Sequence, residues 1–290
     1  MTPIALIQTV ASGVLTGGVY AMVGIGLSLI FGVMRIVNFA HGEFMAVGMY
    51  LAFVLFRVAG LDPYVSLLCV APAGLILGAA VERLLLAPIQ NSAEHAPILM
   101  TVGVGLILSN VLLLVFGAHP ETIYTSYSTR TVRIFSVTLS LPLLVSFALT
   151  VLVVAALYLV LTRTDFGRAI RGSAQNRDAA ELQGVDTRFV RTAVFAIGTV
   201  LSMAAGVLLL PALYVFPTIG GIFTLKAFVV TVLGGMGSVV GAIWGGLLLG
   251  VVESVAASFG ATGSRDAFGL VAFLLVLLVR PAGLFGRSRV

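Results

Sequence analysis

The first charged side chain of the 290-residue chain is Arg35, so residues 2–34 form one uninterrupted charge-free run. Crossing the hydrocarbon core of a bilayer takes about 20 mostly apolar residues. Further charge-free windows cover 63–81, 96–120, 134–162, 192–225, 227–252 and 267–279, and a shorter one, 44–56, lies between Glu43 and Arg57. Only 9% of residues are charged and 60% are hydrophobic, against roughly 25% charged in a soluble domain. Such a chain cannot cover its own surface in water. It predicts an all-α integral membrane protein, a single transmembrane domain over residues 1–290 whose partner is the lipid bilayer. The 33 glycines fit, because glycine is more frequent in spanning helices than in soluble ones. No basic segment precedes the first apolar run, so that run is expected to stay as a span.

The net charge of +5 does not point to nucleic acid. Six of the 16 basic residues, Arg163, Arg168, Arg171, Arg177, Arg188 and Arg191, fall in one polar stretch, and most others flank apolar segments. That distribution marks a cytoplasmic loop rather than a binding stripe for DNA. With 163–191 inside, 119–133 lies outside, 86–96 inside, the turn at 60–63 outside, the region of Arg35 inside and the amino terminus outside. Arg287 and Arg289 place the carboxyl terminus inside as well. An even number of passes must then follow the basic loop, so the glycine-rich region is split, giving passes near 192–213, 219–236, 239–259 and 266–284. The total is about nine spans, with eight to ten as the range.

Two regions depart from ordinary spans. Residues 26–56 carry Arg35, Asn38, His41 and Glu43, and residues 223–253 carry Lys226, the run Gly234, Gly235, Met236, Gly237, Ser238, and Glu253. Paired interrupted helices in two halves of a transporter point to a central pathway. A charged group at membrane depth costs about 2.5–3.5 kcal/mol and normally faces protein or a water-filled cavity. Asn38, His41, Glu43, Gly234, Gly235, Gly237 and Ser238 are therefore candidates for the translocation pathway. The alternative is that the polar ones satisfy backbone groups freed at a helix break. Glu253 is isolated among apolar residues and calls for a partner such as Lys226.

Gly237, Gly241 and Gly245 recur every four residues, and Gly246 and Gly250 repeat the interval. On a helix this leaves a groove that another backbone can enter, so Gly241, Gly245, Gly246 and Gly250 are read as helix-packing residues, within the chain, against a second subunit or beside the pore. Trp244 lies off that row. Cys69 stands in an apolar run and is read as a small packing residue; one cysteine excludes a disulfide framework. His41 and Glu43 lack a third ligand nearby, since His95 and His119 lie in other loops, so a metal site is not expected. No clustered nucleophile, base or metal set indicates an enzyme, and no catalytic residue is assigned. The single lysine, Lys226, follows no phosphate-binding glycine loop; the chain is expected to bind no cofactor, and any ATP must be hydrolysed by a partner.

The polar stretch reads as a series of capped helices. Thr164 and Asp165 can cap one helix, Asn176 can cap a short helix over 177–183 that Gly184 ends, and Asp186 and Thr187 can cap the following span. A short amphipathic helix held between caps is suited to docking in another protein's groove; a basic loop at the lipid headgroups is the plainer alternative.

Four stretches resemble a known family: Gly32-Val-Met-Arg-Ile-Val-Asn-Phe-Ala-His-Gly-Glu43, Thr164-Asp-Phe-Gly-Arg-Ala-Ile-Arg171 continuing through Ala174 to Ala180, Val232 to Gly241, and Arg280-Pro-Ala-Gly-Leu-Phe-Gly286. The chain is similar over nearly its whole length to the permeases of bacterial branched-chain amino-acid ABC importers, of the H-type in Liv systems. The resemblance implies a type II importer-like permease in the bacterial inner membrane, paired with a second related permease, two cytoplasmic ATPase subunits that bind ATP and magnesium, and a periplasmic solute-binding protein. It implies a cytoplasmic coupling loop over 163–191 with the coupling helix within 165–184, carried by Asp165, Gly167, Arg168, Arg171, Ala174, Asn176, Ala179, Ala180, Leu182 and Gly184. Permeases for urea and short-chain amides share these motifs and stay open as alternatives, as does an ion-coupled secondary transporter.

Overall fold

The structure, a computed structural model, describes residues 3–90, 92–93, 95–134, 136–260 and 262–285. At its centre is α1 (Pro3–Met34), 32 residues and so about 48 Å long, with nearly every residue from Gly13 to Ile30 buried. Packed directly on it are α5 (Leu141–Arg163), α8 (Thr187–Leu209), α9 (Ile219–Gly234) and α10 (Val239–Ser258). Helix α2 (His41–Ala59) packs on α8 and α9, and α3 (Leu67–Val81), α4 (Ala96–Phe116) and α11 (Arg265–Val279) complete the bundle. Two short helices, α6 (Asp165–Gln175) and α7 (Arg177–Leu182), lie between α5 and α8.

Helices meet where side chains are missing. A Cβ on Gly250 would stand 2.4 Å from Gly17 Cα, one on Gly246 2.4 Å from Ala21 Cα, and one on Gly13 2.7 Å from Val251 Cα, so α1 and α10 touch along their backbones. Gly241 and Gly245 do the same for α9, opposite Gly234 and Val230. Gly48 and Gly206 join α2 to α8, and Gly74 and Gly78 join α3 to α8. In lipid no hydrophobic force drives helices together, so such close van der Waals contact is the main source of cohesion. All four glycines of the α10 row are thus filled by this chain's own helices. Trp244 faces away, 54% exposed.

Among the described residues, seven segments are long and apolar enough to cross a membrane: α1, α2, Leu67–Ile89, α4, α5, α8 and α10. Helix α9, 16 residues, is shorter, and α11, 15 residues, begins with Arg265 and Asp266. The glycine-rich region divides where expected, between α9 and α10. Three features differ from the sequence expectation. Residues 131–140 form an antiparallel hairpin, β1 (Thr131–Ile134) with β2 (Val137–Ser140), Thr131 opposite Ser140, where a loop running directly into a span was expected. Cys69 is exposed, because α3 turns Val70, Gly74, Gly78 and Val81 inward and leaves Cys69 on the other face. And the interruption within 223–253, at residues 235–238, is a turn at one end of the bundle rather than a break at depth, while a second non-helical stretch, 210–218, precedes α9.

The two ends of the bundle differ. The hairpin end gathers residues 60–66, 117–142 and 210–218: Tyr127 donates to Asp62 at 2.6 Å, Tyr64 donates to the Pro142 carbonyl at 2.9 Å, and Glu121 pairs with Val215. The basic end gathers Arg35, residues 82–90, α6, α7 and the turn 235–238. The described tail also ends there, where the Leu284 and Phe285 amides donate to the Leu233 and Gly234 carbonyls. Arg287 and Arg289 lie outside the described residues.

Candidate functional site

After α1 the chain does not simply turn back. Arg35 adopts a left-handed φ of 59°, and residues 35–38 re-enter the bundle without helical structure. Helix α2 begins beside Gly26 of α1, where a Cβ would lie 3.0 Å from His41 Cε1. Gly26 is eight residues above Met34, about 12 Å along the helix. Irregular backbone at such depth must have its polar groups satisfied by protein, and four helices contribute. Thr101 of α4 accepts from the Phe39 amide at 3.2 Å; Thr224 of α9 accepts from the Gly42 amide at 2.9 Å and donates to the Phe39 carbonyl at 3.3 Å. Ser202 of α8 donates to the His41 carbonyl at 2.5 Å, and His41 Nε2 lies 2.9 Å from the Val23 carbonyl of α1.

The three polar candidates on this break are all buried: Asn38 and His41 completely, Glu43 at 8% exposure. Asn38 uses Oδ1 to accept from the Ala40 amide at 3.1 Å. Asn38 Nδ2, His41 Nδ1 and Glu43 Oε2 have no hydrogen-bond partner. The Glu43 carboxylate lies between bare backbone of α9 and α4: a Cβ on Gly220 would stand 2.2 Å from Oε2, and one on Gly105 3.5 Å from Cγ.

Gly234, Gly235, Gly237 and Ser238 are not brought to this point. They form the α9–α10 turn at the basic end, with Gly235 and Gly237 at φ 98° and 86° and Ser238 capping α10 through the Gly241 amide at 3.0 Å. Gly237 packs on Gly32, six residues or about 9 Å along α1 from Gly26.

At the basic end the caps are Thr164 for α6, Asn176 for α7 and Asp186 for α8, each accepting from a backbone amide at 3.0 Å. Asp165 pairs with Arg168, and both are exposed, as are Arg171, Asn176, Ala179 and Leu182. Gly167 is buried against the last carbonyls of α5, and Gly184 takes a left-handed φ of 83° after α7. Thr187, then Arg177, hydrogen-bonds Glu181 and holds its carboxyl below the usual range. Ala180 departs from its expected place: it is buried, 7% exposed, so the outward apolar surface of α7 is Leu182, 87% exposed, with Ala179. The break and these helices are joined directly. Arg35 Nη2 donates to the Ala174 carbonyl of α6 at 3.2 Å.

Two ion clusters escaped sequence reading in whole or part. A π-helical turn, Glu82–Leu86, follows α3, and Glu82, 1% exposed, accepts from Arg191 Nη2 at 2.7 Å and from Thr192 Oγ1 at 2.6 Å. Arg191 reads as one more loop arginine, and nothing local in the sequence reveals a partner 109 residues away. A cleft of about 740 Å³ opens beside it, lined by Arg83, Arg177, Asp178, Glu181 and Arg188. The second cluster meets the demand of Glu253 for a partner. Lys226 binds it, Tyr20 donates to it at 3.1 Å, and Asp266 of α11 lies 2.8 Å from the same ammonium.

The family model described as "Branched-chain amino acid transport system / permease component" matches residues 9–280. The high-affinity branched-chain amino acid transport system permease protein BraD of Pseudomonas aeruginosa is 33% identical, over 98% of this chain and 97% of its own length. The corresponding LivH of Escherichia coli is 31% identical, over 98% and 96%. A probable LivH of the archaeon Methanocaldococcus jannaschii is 27% identical, over 91% and 88%. No solved structure matches. This chain, whose backbone re-enters the bundle without helical structure over a polar motif and which such permeases match over nearly its whole length, belongs to the family of branched-chain amino acid transport permease components.

Proposed function

We propose that this chain is one of two related membrane-spanning subunits of an ATP-binding-cassette importer for branched-chain amino acids. The cargo assignment comes from the names of the relatives. The observation that carries the mechanism is the bond from Arg35 to Ala174, which ties the broken segment at the pathway to the capped helices at the basic end. In this reading the basic end is cytoplasmic, where ATPase subunits holding ATP and magnesium dock on α6 and α7, and a solute-binding protein delivers cargo to the hairpin end.

Helices α6 and α7 each start at a side-chain cap, Thr164 and Asn176, and so move as a rigid unit rather than fray. A push on the exposed face of α7 reaches Ala174, then Arg35, then residues 36–40, whose backbone is held by single side-chain bonds from Thr101 and Thr224. Those bonds can exchange as α4 and α9 shift, which opens the break to one side or the other. The chain itself hydrolyses nothing.

The test is mild detergent extraction of the tagged subunit. The expected particle contains a second permease and two ATPase subunits, and its uptake in liposomes requires ATP. A single-subunit particle that transports on an ion gradient alone would replace this reading with a secondary transporter. Sidedness is tested in a Cys69→Ala background: Tyr124→Cys is expected to label from the periplasm and Gln175→Cys is not, and the reverse pattern inverts the topology.

A further inference from the structure

Among the described residues, buried carboxylates within the bundle are answered by cations. Glu82 has Arg191, and Glu253 has Lys226. Glu43 is the exception. It is 8% exposed, against 1% for Glu82 and 5% for Glu253, no basic side chain lies within ion-pair distance, and its buried Oε2 has no hydrogen-bond donor. The start of α2 supports a negative charge there through its backbone dipoles, but a helix dipole supplies only about half a unit charge. An ionised carboxylate at this depth calls for a full cation.

The surroundings suit a cation that arrives and leaves. The walls at the carboxylate are Gly220 and Gly105, where any side chain on Gly220 would occupy the carboxylate's own position. The next residue on each helix, Gly221 on α9 and Leu106 on α4, is exposed, as is Phe39 just before α2. The carboxylate therefore lies one residue behind exposed positions of α4 and α9, with Leu106, next to Gly105 in sequence, and Phe39, just before α2, as exposed apolar side chains. Asn38 Nδ2, five residues earlier in the same break, is a second buried group without a partner.

We propose that Glu43 is the binding group for the α-ammonium of the amino-acid cargo as it passes the break. The assignment rests on the importer reading above and deepens it. It gives the permease its own preference for zwitterions over uncharged solutes such as urea, which have no cation to offer. A basic side chain of the second permease is the competing cation, and it predicts a different result.

The experiment uses the complete transporter with its binding protein in liposomes. Wild type is assayed first for leucine uptake; failure there refutes the cargo reading before any variant is compared. Glu43→Gln keeps size and loses charge. It is expected to assemble with its partner subunits and to lose at least tenfold in leucine uptake. Uptake within twofold of wild type overturns the proposal. Labelling of Glu43 by a hydrophobic carbodiimide, read by mass spectrometry, decides the case where the variant does not assemble. Labelling slowed by leucine-loaded binding protein under turnover supports the ammonium site; labelling that leucine leaves unchanged overturns it in favour of a pairing between subunits.

Discussion

Arg35 and Ala174 stand 139 residues apart in sequence, and the guanidinium of the first donates to the carbonyl of the second at 3.2 Å. The bond is exposed, yet Arg35 adopts a left-handed backbone conformation to make it, one that costs a non-glycine residue about 1–2 kcal/mol. Arg35→Ala removes the strut while leaving the packed core untouched. A charge-assisted hydrogen bond contributes roughly 1.5 kcal/mol or more, which is about tenfold in an equilibrium. Uptake is expected to fall about tenfold at unchanged ATPase activity. Uptake and hydrolysis falling together would mean that Arg35 does not couple them.

The outward surface of α7 gives a second separation. Leu182→Asp places a charge on an 87% exposed position, so the permease is expected to insert and keep its stability while ATPase subunits no longer co-purify. Ala180→Asp buries the same charge at a 7% exposed position, and is expected to lower the thermal unfolding temperature of the permease itself. Equal behaviour of the two variants would show that α7 does not present a docking face.

Glu82 and Arg191 form a pair in which neither partner can be left alone. Removing one side of a buried ion pair costs roughly 3–5 kcal/mol, whereas replacing both by apolar residues of similar size is often neutral. Glu82→Ala is expected to be strongly destabilised in detergent, and Glu82→Leu with Arg191→Met to recover most of the loss. A single variant as stable as wild type would contradict the burial of Glu82.

The backbone contact of α1 with α10 is tested by adding side chains. Gly246→Val would bring Cβ to 2.4 Å of Ala21 Cα and is expected to abolish correct folding, while Gly103→Ala on α4 meets nothing within 4 Å and is expected to be neutral. Measured by monodispersity on gel filtration, equal behaviour of the two would sink the seam.

The spans and caps were legible because they depend on local pattern. Charge-free runs of span length, Thr164, Asn176 and Asp186 before helices, and the division of the glycine-rich region all follow from neighbours in sequence. What depends on tertiary partners was not. Asn38, His41 and Glu43 announce themselves as polar residues in an apolar setting, but their depth follows from contacts with Gly26, Gly105 and Gly220 on three other helices. Gly234 to Ser238 looks like an interruption at depth and is instead a tight turn, because a glycine run looks the same in either place. The hairpin at 131–140 is two four-residue strands, short enough to be hidden beside the apolar start of α5. The burial of Ala180 depends on which face of a six-residue helix turns inward, which its sequence does not specify.

The most direct measurement is uptake of labelled leucine and labelled urea in cells that lack this chain and in the same cells with it restored beside its own partners. Leucine uptake lost on deletion and regained on restoration, dependent on intact ATPase subunits and with urea uptake unaffected, is the predicted result. Urea uptake that follows the gene while leucine uptake does not, or leucine uptake that persists when the ATPase subunits are inactivated, would contradict the account.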